Sequence, residues 1–563
     1  MNRDQPVPPR VSVVDNVRHG RIAAVARATV IFLFVLAITV PFLGQAFHVD
    51  DAIFWDFARN NLSHPLEQHL PNYFLMGKKI AAMRDTHPPL DELYISLIMS
   101  IEGVTAAEFF FHLGFIVFPL IAGVSMYFLG RRFTKHPLAA SLLFLSAPAV
   151  MVMSHTLMAD LPMTALWMAA TAAYIYGVDA DSRRLLAFSS LLITLAIFMG
   201  YQSLALLVLL PAYAWLRRGR PSRRNALPFL LPLLSFALFT LFNYARYNSP
   251  PRFSHAGGLG VTENDFISRF QGMILEMGGI TIFPPLLAAG FTLRRKKYLA
   301  LPLIAAIAAL LGWRQLAPGY PVASAVLFGI FIFAGASMLT GLITEGIIQI
   351  VNWARRLPLD RDFLFLALWL ISILAAIVIL LPHTPAKYYL PVFAPLILLM
   401  FREVETVFTS RRIATGFAVL AIVLSLVTGF WLSLADYELA RAYKDFALSI
   451  QSRYRPSGTV WFVGEWGFRH YMEQQNYKYL TSDSTAPKKG DLIIEPSYMQ
   501  RPVAPSLQSR MHLIGEPAAN WDVPVRVMNM QADAGFYGTY WGRLPFTITS
   551  LPLERFKVYV VSS

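Results

Sequence analysis

Of 563 residues, 56% are hydrophobic and only 15% are charged, against roughly 25% charged in ordinary globular chains. The formal net charge is +14 and there is no cysteine. These figures exclude a soluble globular protein, a disulfide framework and thiolate chemistry, and they indicate a polytopic α-helical membrane protein. The basic residues sit in short loops between apolar runs rather than over a soluble face. That pattern orients a chain in a bilayer and argues against nucleic acid as a partner.

In chain order, Arg3, Arg10, Arg18, Arg21 and Arg27 precede a first apolar run at 28–47. About 20 residues suffice to cross a bilayer, and without a small-residue cleavage site the run is expected to stay as a first helix. Further spans are expected at 108–130, 138–155, 161–178, 185–201, 203–216, 226–245, 271–292, 298–314, 321–351, 363–382, 388–401 and 413–434. With the N-terminus cytoplasmic, 25 basic residues fall inside and 9 outside, so the sequence predicts that orientation. The helix expected at 89–101 is short for a span and would invert every later loop if it crossed. It is therefore placed flat on, or dipping into, the outer leaflet, inside one large extracytoplasmic loop, 48–107. From 436 the composition becomes that of a soluble domain. Strands are expected at 460–463, 492–494, 525–528 and 556–561, with a helix at 468–475. The chain thus divides into a membrane domain, 1–435, and an extracytoplasmic α/β domain, 436–563.

Chemistry-bearing residues gather at the outer ends of the spans. Asp50 and Asp51 lie where the first helix emerges, and adjacent carboxylates push their pKa values apart, leaving one as a competent general base. A plain solvated helix cap is the bland alternative. Thr86-His87-Pro88-Pro89-Leu90 follows, two prolines fixing the backbone that carries His87. His155 and Asp160 stand at the outer end of the third span, Asp160 before Leu161-Pro162, where it could equally cap a helix. Lys387-Tyr388-Tyr389-Leu390-Pro391 opens a late helix at the outer face: a cation at a helix N-terminus suits a phosphate, although Lys and Tyr also anchor at headgroup level. Glu276 and Glu345 lie inside expected spans, where acids serve function or helix packing. Gly257, Gly258 and Gly260 have no strand before them and read as a loop. No spacing amounts to a metal motif; a divalent cation is possible at Asp50, Asp51 and Asp160 but not indicated.

Asp50-Asp51, His87-Pro88-Pro89-Leu90, Asp160-Leu161-Pro162 and Lys387-Tyr388-Tyr389-Leu390-Pro391, in this order, resemble the GT-C membrane glycosyltransferases. The likeness is closest to the protein O-mannosyltransferase and aminoarabinose transferase branch. The resemblance implies an inverting transfer of a sugar from a polyprenyl-phosphate donor to an extracytoplasmic acceptor, without a required cofactor. It implies Asp50 as catalytic base, Asp51 where the family more often has Glu, and Asp160 supporting the acceptor side. His87, with Lys387 and Tyr388, would serve the donor phosphate, and His155 lies nearby. Phe54 departs from a common tyrosine and His112 from an arginine of the mannosyltransferases. The expected partners are the lipid-linked donor, membrane lipids and an acceptor that could be lipid, protein or glycan. A flippase for lipid-linked saccharides is the rival reading. It predicts internal repeats and mid-membrane polar residues, whereas no repeat is evident and the acids gather outside. A membrane-anchored binding protein is the third, and it leaves the convergence of Asp50, His87, Asp160 and Lys387 unexplained.

Overall fold

A computed structural model describes residues 13–65, 74–79, 87–104, 107–219, 222–248, 250–251, 263–280, 300–316, 319–381, 384–408, 410–499 and 501–562. Its helices are α1 Val13–Thr39, α2 Asp51–Ser63, α3 Leu90–Glu102, α4 Glu108–Phe115, α5 Val117–Phe133, α6 Pro137–Ser146, α7 Pro148–Met153, α8 Asp160–Asp179, α9 Arg183–Met199 and α10 Leu206–Arg218. They continue with α11 Arg223–Ala226, α12 Leu230–Tyr247, α13 Glu263–Ile280, α14 Ala300–Leu316, α15 Val322–Ala354, α16 Arg361–Leu380, α17 Leu390–Val407, α18 Arg411–Tyr454, α19 Trp466–Gln474 and α20 Pro505–Gln508.

Each apolar run expected to span meets a helix or a broken pair of helices, with residues 281–292 of the eighth outside the described set. Among the described residues seven helices are long and apolar enough to cross a membrane. The others fall short for visible local reasons. The run at 138–155 is split at Ala147, because Pro148 begins α7 and cannot continue α6. The run at 203–216 opens with a 3-10 turn over Tyr201–Ala205 before α10. Helix starts are set by ordinary caps elsewhere: Ser182 accepts from the Leu185 amide ahead of α9, and Asp360 from the Phe363 amide ahead of α16. Where helices meet closely, glycine permits it. A Cβ on Gly278 would lie 1.8 Å from the Phe331 carbonyl oxygen, so α13 and α15 touch backbone to backbone.

The short helix after the Pro-Pro is α3, packed on α2. Leu93, Leu97 and Ile101, one turn apart on α3, are all exposed, giving it an outward apolar stripe. The C-terminal sheet has the order β2-β1-β3-β7-β4, formed by β1 Val460–Phe462, β2 Lys478–Tyr479, β3 Leu492–Pro496, β4 Met511–Gly515 and β7 Glu554–Val561. Strand β1 runs parallel to β2 and β3, and β7 antiparallel to β3 and β4. The single strand expected at 525–528 is instead two short ones, β5 Val525–Arg526 and β6 Met528–Asn529, each in its own two-stranded pairing outside that sheet. Helix α18 continues unbroken through 436 to Tyr454, so the last apolar helix is also the stalk on which the sheet is built.

Candidate active site

The exit of the first helix is held by an unusual density of buried polar bonds. The Asp436 carboxylate on α18 accepts from Gln45 Nε2 (3.1 Å) and from the Tyr537 hydroxyl (2.9 Å), and its other oxygen lies 3.2 Å from His48 Nε2. The Phe47 amide donates to the Tyr471 hydroxyl at 2.7 Å, and Tyr471 in turn donates to Glu108. Gly467 makes that docking possible, since a Cβ there would meet the Phe47 carbonyl oxygen at 2.1 Å. Between these fixed points Val49 takes φ 44°. For a β-branched residue that is a strained left-handed conformation, of the kind surrounding structure must enforce. It delivers Asp50 and Asp51 in two different directions.

Asp51 turns inward. It is fully buried, with one carboxylate oxygen accepting from the His48 amide (3.1 Å) and the other from the Leu157 amide (2.8 Å). Burial lifts its pKa to about 7, against the pull of those two amides. Asp51 therefore straps the first loop to the turn before α8. Asp50 occupies the N-cap position of α2 without capping it. Its carboxylate instead receives Lys387 Nζ at 2.7 Å. Asp160, the first residue of α8, lies 3.9 Å from the same ammonium, and Met158 Sδ lies 3.7 Å from it. Burial opposes the charge on Lys387, but Asp50 and Asp160 outweigh it and raise the Lys387 pKa. The three groups come from positions 50, 160 and 387, so a single cation gathers distant parts of the chain. Asp50 keeps a quarter of its side chain exposed, against 8% for Lys387.

Tyr388 packs its ring 5.8 Å from Lys387 Nζ. The Ala386 amide donates to the Phe536 carbonyl (3.0 Å), so the 3-10 turn carrying Lys387 is bonded to the C-terminal segment. Tyr540 of that segment, 52% exposed, stands close enough to Asp50, Lys387 and Tyr388 to feel their charges. His87 is half-buried, its ring 5.0 Å from that of Phe54 on α2; Thr86 before it lies outside the described residues, as does the loop 257–260. His155 is not brought to the cluster. It is buried, bonded through Nε2 to the Ile38 carbonyl (2.7 Å) and packed on Phe42. Glu345 bonds Gln349, whereas both Glu276 oxygens are buried without a hydrogen-bond partner. Asp436, Tyr537 and Asp91 escaped the sequence reading as site residues. For Asp436 the signal was an acid two residues past the apolar run at 413–434 on α18; for Asp91 it was an acid two residues after the Pro-Pro.

Among the described residues no group of three or more His, Asp or Glu side chains is arranged to hold a metal ion. Three described cavities, of about 630, 490 and 460 Å³, are lined respectively by residues including Arg183 and Arg224, by residues of α18 and the C-terminal domain including Glu438 and Phe556, and from α5, α8 and α9; Lys387 lines none of them.

A model of the dolichyl-phosphate-mannose-protein mannosyltransferase family matches residues 86–243. That segment resembles a mannosyltransferase. It carries His87, Pro88, Pro89 and Leu90 with Asp160, Leu161 and Pro162, two of the motifs on which the sequence resemblance rests. Among solved structures, similarity extends to apo ArnT from Cupriavidus metallidurans, at 17% identity and TM-score 0.44 over 88% of this chain and 96% of that one. It extends also to the Archaeoglobus fulgidus oligosaccharyltransferase in complex with Zn and sulfate, at 12% identity and TM-score 0.44 over 80% of this chain and 62% of that one. A third is arabinofuranosyltransferase AftD from Mycobacteria, at 12% identity and TM-score 0.41, covering 96% and 42%. These three assign no role to any residue here. No curated protein matches the sequence.

Proposed function

We propose that this protein is a multi-pass membrane glycosyltransferase that moves a sugar, with inversion, from a polyprenyl-phosphate donor to an acceptor outside the cytoplasm. The observation that carries the reading is Lys387, buried between Asp50 and Asp160 where three remote segments meet. A lipid phosphate leaving group needs cationic stabilisation near headgroup height, and the acceptor needs a base across from it. In this reading the acceptor hydroxyl oxygen attacks the anomeric carbon and Asp50 takes its proton. The bond from that carbon to the phosphate oxygen breaks, and the polyprenyl phosphate leaves with the electron pair, its new charge met by Lys387 and, at the rim, His87. Tyr388 flanks the ammonium. Asp160 shares Lys387, so it keeps the cation aimed when Asp50 is engaged with the acceptor. Asp51 acts through the backbone it holds. A single displacement needs no covalent enzyme intermediate and no cofactor.

The orientation belongs to the same reading: N-terminus cytoplasmic, the loop at 48–107 and the sheet domain outside. The Tyr540 segment then overhangs the route by which the acceptor enters. The test is donor consumption by purified protein offered mannosyl, glucosyl and arabinosyl undecaprenyl phosphates, wild type beside Asp50→Asn. One donor consumed by wild type and bound but spared by the variant supports the base assignment. Equal consumption by both rejects it, and binding of none rejects the transferase reading.

A further inference from the structure

The helix that follows the Pro-Pro carries a carboxyl group that the fold does not use. Asp91 lies in the first turn of α3, on its buried face with Glu92, Ile95, Ser96, Ile98 and Met99. It is fully buried, and among the described residues neither carboxyl oxygen has a hydrogen-bond partner. Its neighbour Glu92 is at least met by Asn61 Nδ2 at 3.4 Å, and Ser96 is bonded to the Ala58 carbonyl. A buried polar group without a partner costs free energy; Glu92 leaves only Oε1 unpartnered, whereas Asp91 leaves both oxygens so, and a leucine at 91 would pack on α2 without that cost. Asp91 lies near enough to the site for the carboxylates of Asp160 and Asp51 to act on it, and among the described residues no cation offsets them. Burial therefore raises its pKa well above the usual carboxylate range, and those neighbours raise it further. A carboxyl kept neutral offers one O–H donor and an acceptor oxygen beside it, the complement of two neighbouring hydroxyls on a carbohydrate.

We propose that Asp91 is a substrate-binding residue of the Lys387 site, its two unpartnered oxygens taking a pair of adjacent hydroxyl groups. The hydroxyls belong to the transferred sugar or to the acceptor. The inference rests on the glycosyl-transfer reading above and names a contact that reading leaves out. The cost of the unpartnered group is returned when substrate hydroxyls bond it, which is how a site trades stability for binding.

The experiment uses full-length protein in detergent and whichever of the mannosyl, glucosyl or arabinosyl undecaprenyl phosphates the wild type consumes, with bare undecaprenyl phosphate as reference. Asp91→Leu removes both hydrogen-bonding atoms; Asp91→Asn keeps a donor and an acceptor. Asp91→Leu is expected to melt at or above the wild-type temperature while losing transfer, and Asp91→Asn to keep transfer within about fivefold. If the hydroxyls are on the sugar, Asp91→Leu binds the sugar-bearing donor at least about tenfold more weakly and bare undecaprenyl phosphate unchanged. If they are on the acceptor, donor binding is unchanged and turnover falls at least about tenfold. A variant that melts lower yet turns over like wild type makes Asp91 structural and overturns the inference. So does a variant matching wild type in every readout. Should the wild type consume no donor, the transferase reading falls first and this inference falls with it.

Discussion

Helix α8 has an ion cluster at each end, about 30 Å apart at 1.5 Å per residue, and the two are built on opposite principles. At the far end Asp179 accepts from Arg132 Nε (2.7 Å), from Arg217 Nε (3.2 Å) and from the Tyr213 hydroxyl, while Arg132 also forks onto Asp362 at 3.0 and 2.9 Å. Arg402 bonds Asp360 at 2.7 Å, and Arg224 and Arg218 both reach Asp181. Arginines are in excess there, their forked donors are used in pairs, and the acids are satisfied several times over. At the near end the proportions reverse: one lysine serves Asp50 and Asp160, Asp51 is spent on backbone amides, and Asp91 has no partner. A saturated cluster fixes helices to one another. An unsaturated one, with a single cation and spare carboxyl oxygens, leaves hydrogen-bonding groups over, as the proposed transfer requires.

If that contrast is right, the largest effects belong to the near end and fall on rate. Asp50→Asn is expected to cut transfer by about 10²–10⁴-fold, the range for losing a general base, with donor affinity kept. Donor turnover beside donor binding is the check. Lys387→Gln should lower transfer by about 10²–10³-fold and lower the melting temperature too, because Asp50 and Asp160 lose their counter-charge. The stability cost should stay at or below the roughly 3–5 kcal/mol of a fully buried pair, since Asp50 still faces solvent. Lys387→Arg should not restore transfer, a planar fork being a poor replacement for a point charge. Full activity in that variant would mean that only net charge matters there.

The far end should answer in the other currency. Arg132→Gln leaves Asp179 and Asp362 short of their main donor, and a loss of about 2–3 kcal/mol in apparent stability is expected, below the cost of a fully enclosed pair. Turnover per folded molecule should be unchanged. Thermal denaturation in detergent, paired with an activity assay normalised to folded protein, separates the two. A fall in normalised turnover would mean that the far cluster communicates with the site, and the contrast between the two ends would fail.

Much of the near cluster was legible because apolar spans act as rulers. Alternating sides of the bilayer put Asp50, Asp160 and Lys387 at one face by counting alone, and the structure brings both carboxylates within 4 Å of the Lys387 Nζ. What counting cannot supply is direction. Asp50 and Asp51 are neighbours in sequence, yet one step along a helix turns a side chain about 100°, and the strained Val49 fixes which of them looks outward. His155 stands five residues from Asp160, but the turn before α8 carries it onto the Ile38 carbonyl instead. The pairing of His48 with Asp436 was invisible, because it joins positions nearly four hundred residues apart through packing alone. Breaks such as that at Pro148, and the splitting of the strand expected at 525–528, are local choices that an apolar pattern does not encode.

The smallest expected effect is a pH slope, and it tests whether the near cluster is electrostatically unsettled. Asp51 ordinarily titrates near 4 and in the folded protein at about 7, burial being the main cause. Below pH 4 both folded and unfolded chains hold its proton, and above 7 both have lost it. Between those values the folded chain binds more protons than the unfolded one, so this carboxyl makes stability fall as pH rises, by at most about 1.4 kcal/mol per pH unit. Asp56 and Glu554, raised by burial to about 6 and about 7, add slopes of the same sign. The readout is therefore the difference between wild type and Asp51→Asn. The amide cannot ionise, and it gives up one of two acceptors, so the variant should be less stable overall by about 1 kcal/mol. Its melting temperature should also decline less steeply from pH 4.5 to 7. Parallel curves would show that Asp51 keeps one protonation state across the window, leaving the strap as settled as the arginine cluster at the other end of α8.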